Sequence, residues 1–151
     1  MPPVARATVR NERGQVVEIT VDFNPADHSY KFASDDLRTS YKDNVWEERV
    51  AEVGNMVVSQ VRGSAGWTAE DTFAGLPDNM CQAPHWGVVL EGKVRIVTKD
   101  GSIDCVKGDA YYQAVPHRVE WLEDSVLVEF TPREEFWFMT DWAEKTKDNG
   151  A

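Results

Sequence analysis

The sequence predicts an all-β domain, an antiparallel sandwich or small barrel, finished by one C-terminal α-helix. Three observations carry this reading. Short runs of alternating or apolar residues recur between turn signals from residue 56 to 130. One of them, GKVRIVTKDGSIDCV, alternates on both sides of Asp100-Gly101, a strong hairpin signal. Behind them, Thr131-Pro132-Arg133-Glu134 reads as a capping box with proline at the first helical position, and Phe138, Met139 and Trp142 recur at helical spacing as far as Lys147.

Taken in order, residues 5–23 read as a hairpin: ATVR, a turn holding Gly14, then the alternating run VVEITVDF. Residues 24–44 are polar, with Pro25 and the Asp35-Asp36 pair, and are expected to form a long surface segment with one short helical turn. His28, in this segment, reads as a solvated loop histidine. Strand character returns with MVVSQV at 56–61, and the glycines of 62–66 suit a turn. Further short strands are expected over 110–115, 119–122 and 125–130, separated by Pro116 and by Glu123-Asp124. The last four residues are expected to fray.

At 151 residues the chain is long enough for one domain to bury a core without disulfides. The expected organisation is a single domain over 1–151: hairpin 5–23, barrel about 56–132, helix about 132–147. A formal charge of −10 repels phosphate backbones and anionic lipid, which argues against nucleic acid and membrane partners and in favour of a small molecule. No run approaches the roughly 18 apolar residues of a membrane span. The start MPPVARATVR has no apolar stretch, so the expected location is the cytoplasm, with Cys81 and Cys105 as reduced thiols.

The chemistry gathers in GLPDNMCQAPHWGVVLEGKVRIV, where Cys81 precedes His85 by four residues. On a straight strand such residues lie roughly 13 Å apart, too far to share an ion. Pro84 cannot donate to a ladder, so one strand is expected to end near Cys81 and another to start at His85, turning Asn79, Cys81 and His85 into one cavity. Trp86 then faces the other side, towards the helix or a partner subunit.

GKVRI and KGDAYYQAVPHRVEW, behind a glycine-closed strand, resemble the two sequence motifs of the cupin superfamily. The fold this resemblance implies is a double-stranded β-helix, or jelly roll, with a metal near its mouth. Counted back from Gly92, the family's glutamate falls on His85 and its paired histidines on Asn79 and Cys81, while the histidine of the second motif is kept as His117. GLPDNMC with PHWGVVLEG is similar to a subgroup of small cupins with a Cys-x-Cys-Pro-His-Trp-Gly pattern, whose second cysteine is Ala83 here. The resemblance covers about residues 56–132, and relatives of this kind often pair, so a homodimer covering a sheet edge is expected.

A thiolate with two imidazoles, Cys81, His85 and His117, suits Zn²⁺ with an open fourth position. The plainer alternative is a buried cysteine and two hydrogen-bonded core histidines. Pocket candidates are Asn79, Trp67, Glu91, Tyr111, Gln113 and Glu120; Asp78 could support a ligand from behind, although an Asp in a Pro-Asp-Asn turn is also ordinary turn chemistry. Cys105 and the tryptophans Trp121, Trp137 and Trp142 read as core or interface. Two functions fit: a metal-dependent enzyme acting on a small polar molecule, and a non-catalytic barrel that binds or senses a small ligand.

Overall fold

The computed structural model describes residues 4–10, 13–22, 29, 31–32, 36–68 and 70–149. Among these, β1 (Val4–Arg10) and β2 (Val16–Asp22) form the expected antiparallel hairpin. It is a two-stranded sheet of its own and does not extend the edge of the barrel. The barrel is built from β3 (Arg38–Lys42), β4 (Trp46–Val53), β5 (Met56–Gly63), β6 (His85–Glu91), β7 (Lys93–Thr98), β8 (Gly101–Val106), β9 (Ala110–Gln113), β10 (Arg118–Trp121) and β11 (Ser125–Pro132). Six strands form one sheet in the order β3-β4-β5-β11-β6-β9, and three form the other, β10-β7-β8. All pairings within them are antiparallel.

Two elements correct the sequence reading. Part of the polar segment is strand β3, and β4 pairs with β5 along its whole length. Their sequences, RTSYK and WEERVAEV, put charged residues on both faces, so no alternation announces them. His28 lies outside the described residues.

Residues from both sheets meet in one apolar core: Val61, Val89 and Leu127 from the larger sheet against Val94, Ile96 and Trp121 from the smaller, with Cys105 among them. The Trp121 ring packs on Gly63, where even a methyl group would collide with it. Along β11 the inward positions are Ser125, Leu127, Glu129 and Thr131, so this apolar plug gives way to polar groups towards the strand's C-terminal end.

The helix α1 (Arg133–Asn149) starts one residue later than the capping box predicts, because Pro132 still pairs with Met56 as the last residue of β11. Glu134 and Glu135 in its first turn complement the positive end of the helix dipole. Phe136 packs on Val50 and Val57, and Met139 on Leu76, Cys81 and Ala83. Phe138, which shares the helical spacing of Met139 and Trp142, is nevertheless 54% exposed. Helix residues advance about 100° each, so Phe138 stands about 200° from Phe136 and faces out. The buried face therefore runs through Phe136 and Met139, with Trp142 partly buried beside them.

Candidate metal centre and cavity

Three segments meet at the end of the barrel that α1 covers. The connection from β5 to β6 leaves along β10, where Thr68 bridges Glu120, and returns beside it, where Cys81 bridges His117. The Cys81 N–H donates to the His117 carbonyl at 2.7 Å and the His117 N–H to the Cys81 carbonyl at 3.1 Å. This reciprocal pair fixes the two residues side by side. Pro84 then lets the chain turn, and β6 begins at His85.

The donor atoms of Cys81, His85 and His117 all lie within 4.8 Å of one another, with Cys81 Sγ 3.7 Å from His85 Nε2. A sulfur at about 2.3 Å and a nitrogen at about 2.05 Å from a shared ion, disposed tetrahedrally, would be about 3.6 Å apart. The Cys81–His85 spacing therefore fits a shared cation, with the His117 donor within 4.8 Å of both. The outer ring nitrogens are anchored as ligating imidazoles require. His117 Nδ1–H donates to the Ala114 carbonyl at 2.9 Å, which leaves Nε2 with its lone pair. His85 Nδ1 is held 2.6 Å from Thr131 Oγ1, a hydroxyl able to accept from it when Nε2 is a ligand.

Burial sets the protonation of this trio. It pushes the Cys81 thiol up to about 12, with Glu129 and Glu48 adding to the rise. It pulls His85 down to about 4, and His117 to about 3 with the neighbouring His85 contributing. Both imidazoles are therefore neutral at physiological pH and ready to bind a cation, whereas the thiol must lose a proton to do so.

The trio borders a cavity of about 300 Å³. Trp46 and Trp67 stack on one wall with ring centroids 4.5 Å apart, and Trp121 meets Trp46 edge-on. Glu48 and Glu129 face the same space. Glu129 accepts a 2.8 Å hydrogen bond from Gln113 Nε2, and burial raises its carboxyl to about 7. Glu48 accepts from Ser40 Oγ at 2.8 Å, at the point where the β3–β4 register slips, and burial raises its pKa too. Phe136 and Met139 of α1 complete the lining, so the helix walls the cavity as well as covering the barrel.

No protein-family model matches the chain, and no curated protein does. Solved structures do. KdgF from Halomonas sp. matches with a TM-score of 0.51 at 20% identity, over 68% of this chain and 94% of its own. A mutant of Bacillus subtilis oxalate decarboxylase OxdC matches with a TM-score of 0.52 at 18% identity, over 70% of this chain and 31% of its own. The fold is the cupin jelly roll. At these identities the likeness is one of fold alone. A further structure of the Bacillus enzyme, with a TM-score of 0.51, concerns its Mn(II) centres.

In this cupin barrel the sequence-predicted residues divide. Cys81, His85, His117, Trp67 and Gln113 all border the cavity. Tyr111 lies one step deeper, in the apolar core beside Glu129, where burial keeps its hydroxyl protonated. Asn79, Glu91 and Glu120 stand outside the lining. Asn79 is exposed and its Oδ1 accepts from the Gly75 N–H at 3.0 Å, closing a local turn. Glu91 borders a separate cleft near Arg62 and Asp124, and Glu120 is ion-paired with Arg118 at 3.1 Å. Asp78 pairs with Lys99 at 3.0 Å and supports no ligand of the trio. Cys105 is buried in the core, as expected. Trp86 faces outward, as its alternation predicts, but meets Tyr112 rather than the helix, with ring centroids 5.1 Å apart.

Sequence reasoning missed Glu48, Glu129 and Thr131. Glu129 carries a usable signal: it is the lone charge in SVLVEFTP, at an inward position of the alternation. Thr131 reads as a helix cap, and only the register of β11 against β6 brings it to His85.

Proposed function

We propose that the chain is a small metal-dependent cupin-fold protein in which Cys81, His85 and His117 hold Zn²⁺ beside a cavity that takes a small molecule. The observation that carries this is the 3.7 Å approach of Cys81 Sγ to His85 Nε2, with both imidazoles anchored through their outer nitrogens. A thiolate in the set favours zinc over the manganese described for the Bacillus enzyme. Bound there, zinc would supply a Lewis acid or an activated water. Around it the chain's own residues divide the work: Thr131 and the Ala114 carbonyl orient the imidazoles, and the tryptophan wall excludes water. Glu129 is a carboxyl able to give or take a proton near neutral pH. A non-catalytic binding barrel is the second reading, favoured by the Trp46–Trp67 stack, which is built for contact rather than chemistry.

Elemental analysis tests the metal. Wild-type protein purified with zinc supplied is expected to carry about one equivalent, Cys81→Ser and His117→Ala only traces, and Cys105→Ser the wild-type amount. Metal retained in both of the first two variants, or absent from the wild type, sinks the metal reading and leaves the binding barrel.

The same reading includes a homodimer in the cytoplasm. Trp86, Val88 and Leu90 of β6, Tyr112 of β9 and Phe130 of β11 lie exposed on the outer face of adjacent strands. None is charged, on a chain of net charge −10. A face of this kind fits a second copy of itself better than a basic partner, which the acidic surface would draw elsewhere. Sedimentation at micromolar concentration is expected to give a dimer for the wild type and a monomer for Trp86→Glu. A wild-type monomer removes the dimer.

A further inference from the structure

The lining of the cavity is unbalanced in charge. Asp43, Glu48, Glu129 and Glu144 border it, against the single guanidinium of Arg118, which is already paired with Glu120 at 3.1 Å. Asp43 is spent locally, its Oδ1 accepting from the N–H groups of Val45 and Trp46 at 2.8 Å each. Glu48 and Glu129 are different. Glu129 is buried and Glu48 part-buried; the groups that face them are neutral, Ser40 donating to Glu48 and Gln113 to Glu129 with the Tyr111 hydroxyl beside it, and no cation of the chain pairs with either among the described residues.

A second observation points the same way. Gln113 is fully buried, and with its Nε2 given to Glu129 its carbonyl oxygen Oε1 has no hydrogen-bond partner among the described residues. A buried acceptor left without a donor costs about 1–3 kcal/mol, so such a group in a cavity wall is usually completed by a ligand or water. The acceptors Gln113 Oε1, Glu129 and Glu48 thus ask for a donor-rich, positively charged group. Stacked Trp46 and Trp67 offer π faces to the same cation.

We propose that the cavity takes a small organic ammonium ion, an N–H-bearing amine whose head sits between Glu48, Glu129 and the Gln113 carbonyl and whose carbon chain lies against the tryptophans. This rests on the small-molecule reading of the cavity and not on the metal. The carboxyls held up by burial are consistent with it, since a cation placed between them relieves the cost of ionising both.

Three molecules of similar length and different charge test it: aminobutanol, butanediol and hydroxybutyrate, titrated against the purified protein by tryptophan fluorescence and by calorimetry. Aminobutanol is expected to bind about tenfold or more tightly than either of the others. Glu129→Gln and Glu48→Gln, each checked for wild-type circular dichroism, are expected to cut that preference to about threefold or less. Using two variants covers the case in which one fails to fold. Equal binding of the three probes, tighter binding of hydroxybutyrate, no response to aminobutanol up to millimolar concentration, or an unchanged preference in both variants overturns the proposal. The metal content of the same samples is measured alongside. An empty wild type would sink the zinc reading while leaving the amine preference legible, and a zinc-loaded protein without that preference would do the reverse.

Discussion

Zinc affinity is expected to fall about tenfold for each unit that pH drops between about 8 and 5, a total near a thousandfold. The sign follows from the protonation states of the trio. Burial holds the metal-free Cys81 thiol up to about 12, so throughout this range it is protonated and must release one proton to ligate. Each unit of acidification then multiplies the competing proton by ten, equivalent to about 1.4 kcal/mol. His85 and His117, held down to about 4 and 3, are already neutral and add no slope until the pH falls below about 4. Ionisation of Glu129 as the pH rises through about 7 acts in the same direction by placing a negative charge near the cation. Competition with a chelator of known pH dependence, read at pH 6, 7 and 8, measures the slope. A flat profile would remove Cys81 from the ligand set. A slope of two protons or more would mean that the imidazoles titrate as exposed histidines do, against their burial.

The distinction between thiol and imidazole was not legible in the sequence. An unperturbed imidazole titrates near 6.5, so a set of one cysteine and two histidines, taken by residue type alone, points to acid sensitivity at the histidines. Only the packing of Met139, Leu76 and Ala83 around Cys81, and of the two histidines against each other, moves the dependence to the thiol. The trio itself was within reach. Pro84 breaks the strand between Cys81 and His85, and the spacing back from Gly92 aligns His85 with a motif position.

Elements with a clean period were equally legible: the hairpin around Asp100-Gly101, the strands of β9 to β11, and a C-terminal helix. What failed did so for physical reasons. Strand β4 carries Glu48 inward and Glu47 and Arg49 beside it, so its pattern reads as surface although Glu48 faces the cavity. On α1, Met139 and Trp142 lie on the packed face as their spacing suggests, whereas Phe138 faces out and Phe136 takes its place, since all four look apolar in the sequence.

Gly92→Ala is expected to lower the melting temperature by roughly 10 °C or more, and Gly66→Ala by less than half as much. Gly92 sits at the corner where the chain leaves β6 in the large sheet and enters β7 in the small one. Both glycines have φ +85°, in the left-handed region, so an added methyl costs each about 1–2 kcal/mol in backbone strain. Their surroundings separate them. Nothing lies within 4 Å of a methyl on Gly66, whereas on Gly92 it would collide with the Ser125 hydroxyl and the Asp124 carbonyl. Ser125 cannot move aside freely, because its Oγ accepts from the Lys93 N–H at 2.9 Å and donates to the Glu123 carbonyl at 2.8 Å. Overpacking against fixed backbone adds about 1–3 kcal/mol, and at this chain length each kcal/mol shifts the midpoint by roughly 2–4 °C. Thermal unfolding of the two variants beside the wild type checks the difference. Equal shifts would mean that the corner relaxes around the methyl, and that β6, which carries His85 at its far end, is held in register by something other than this contact.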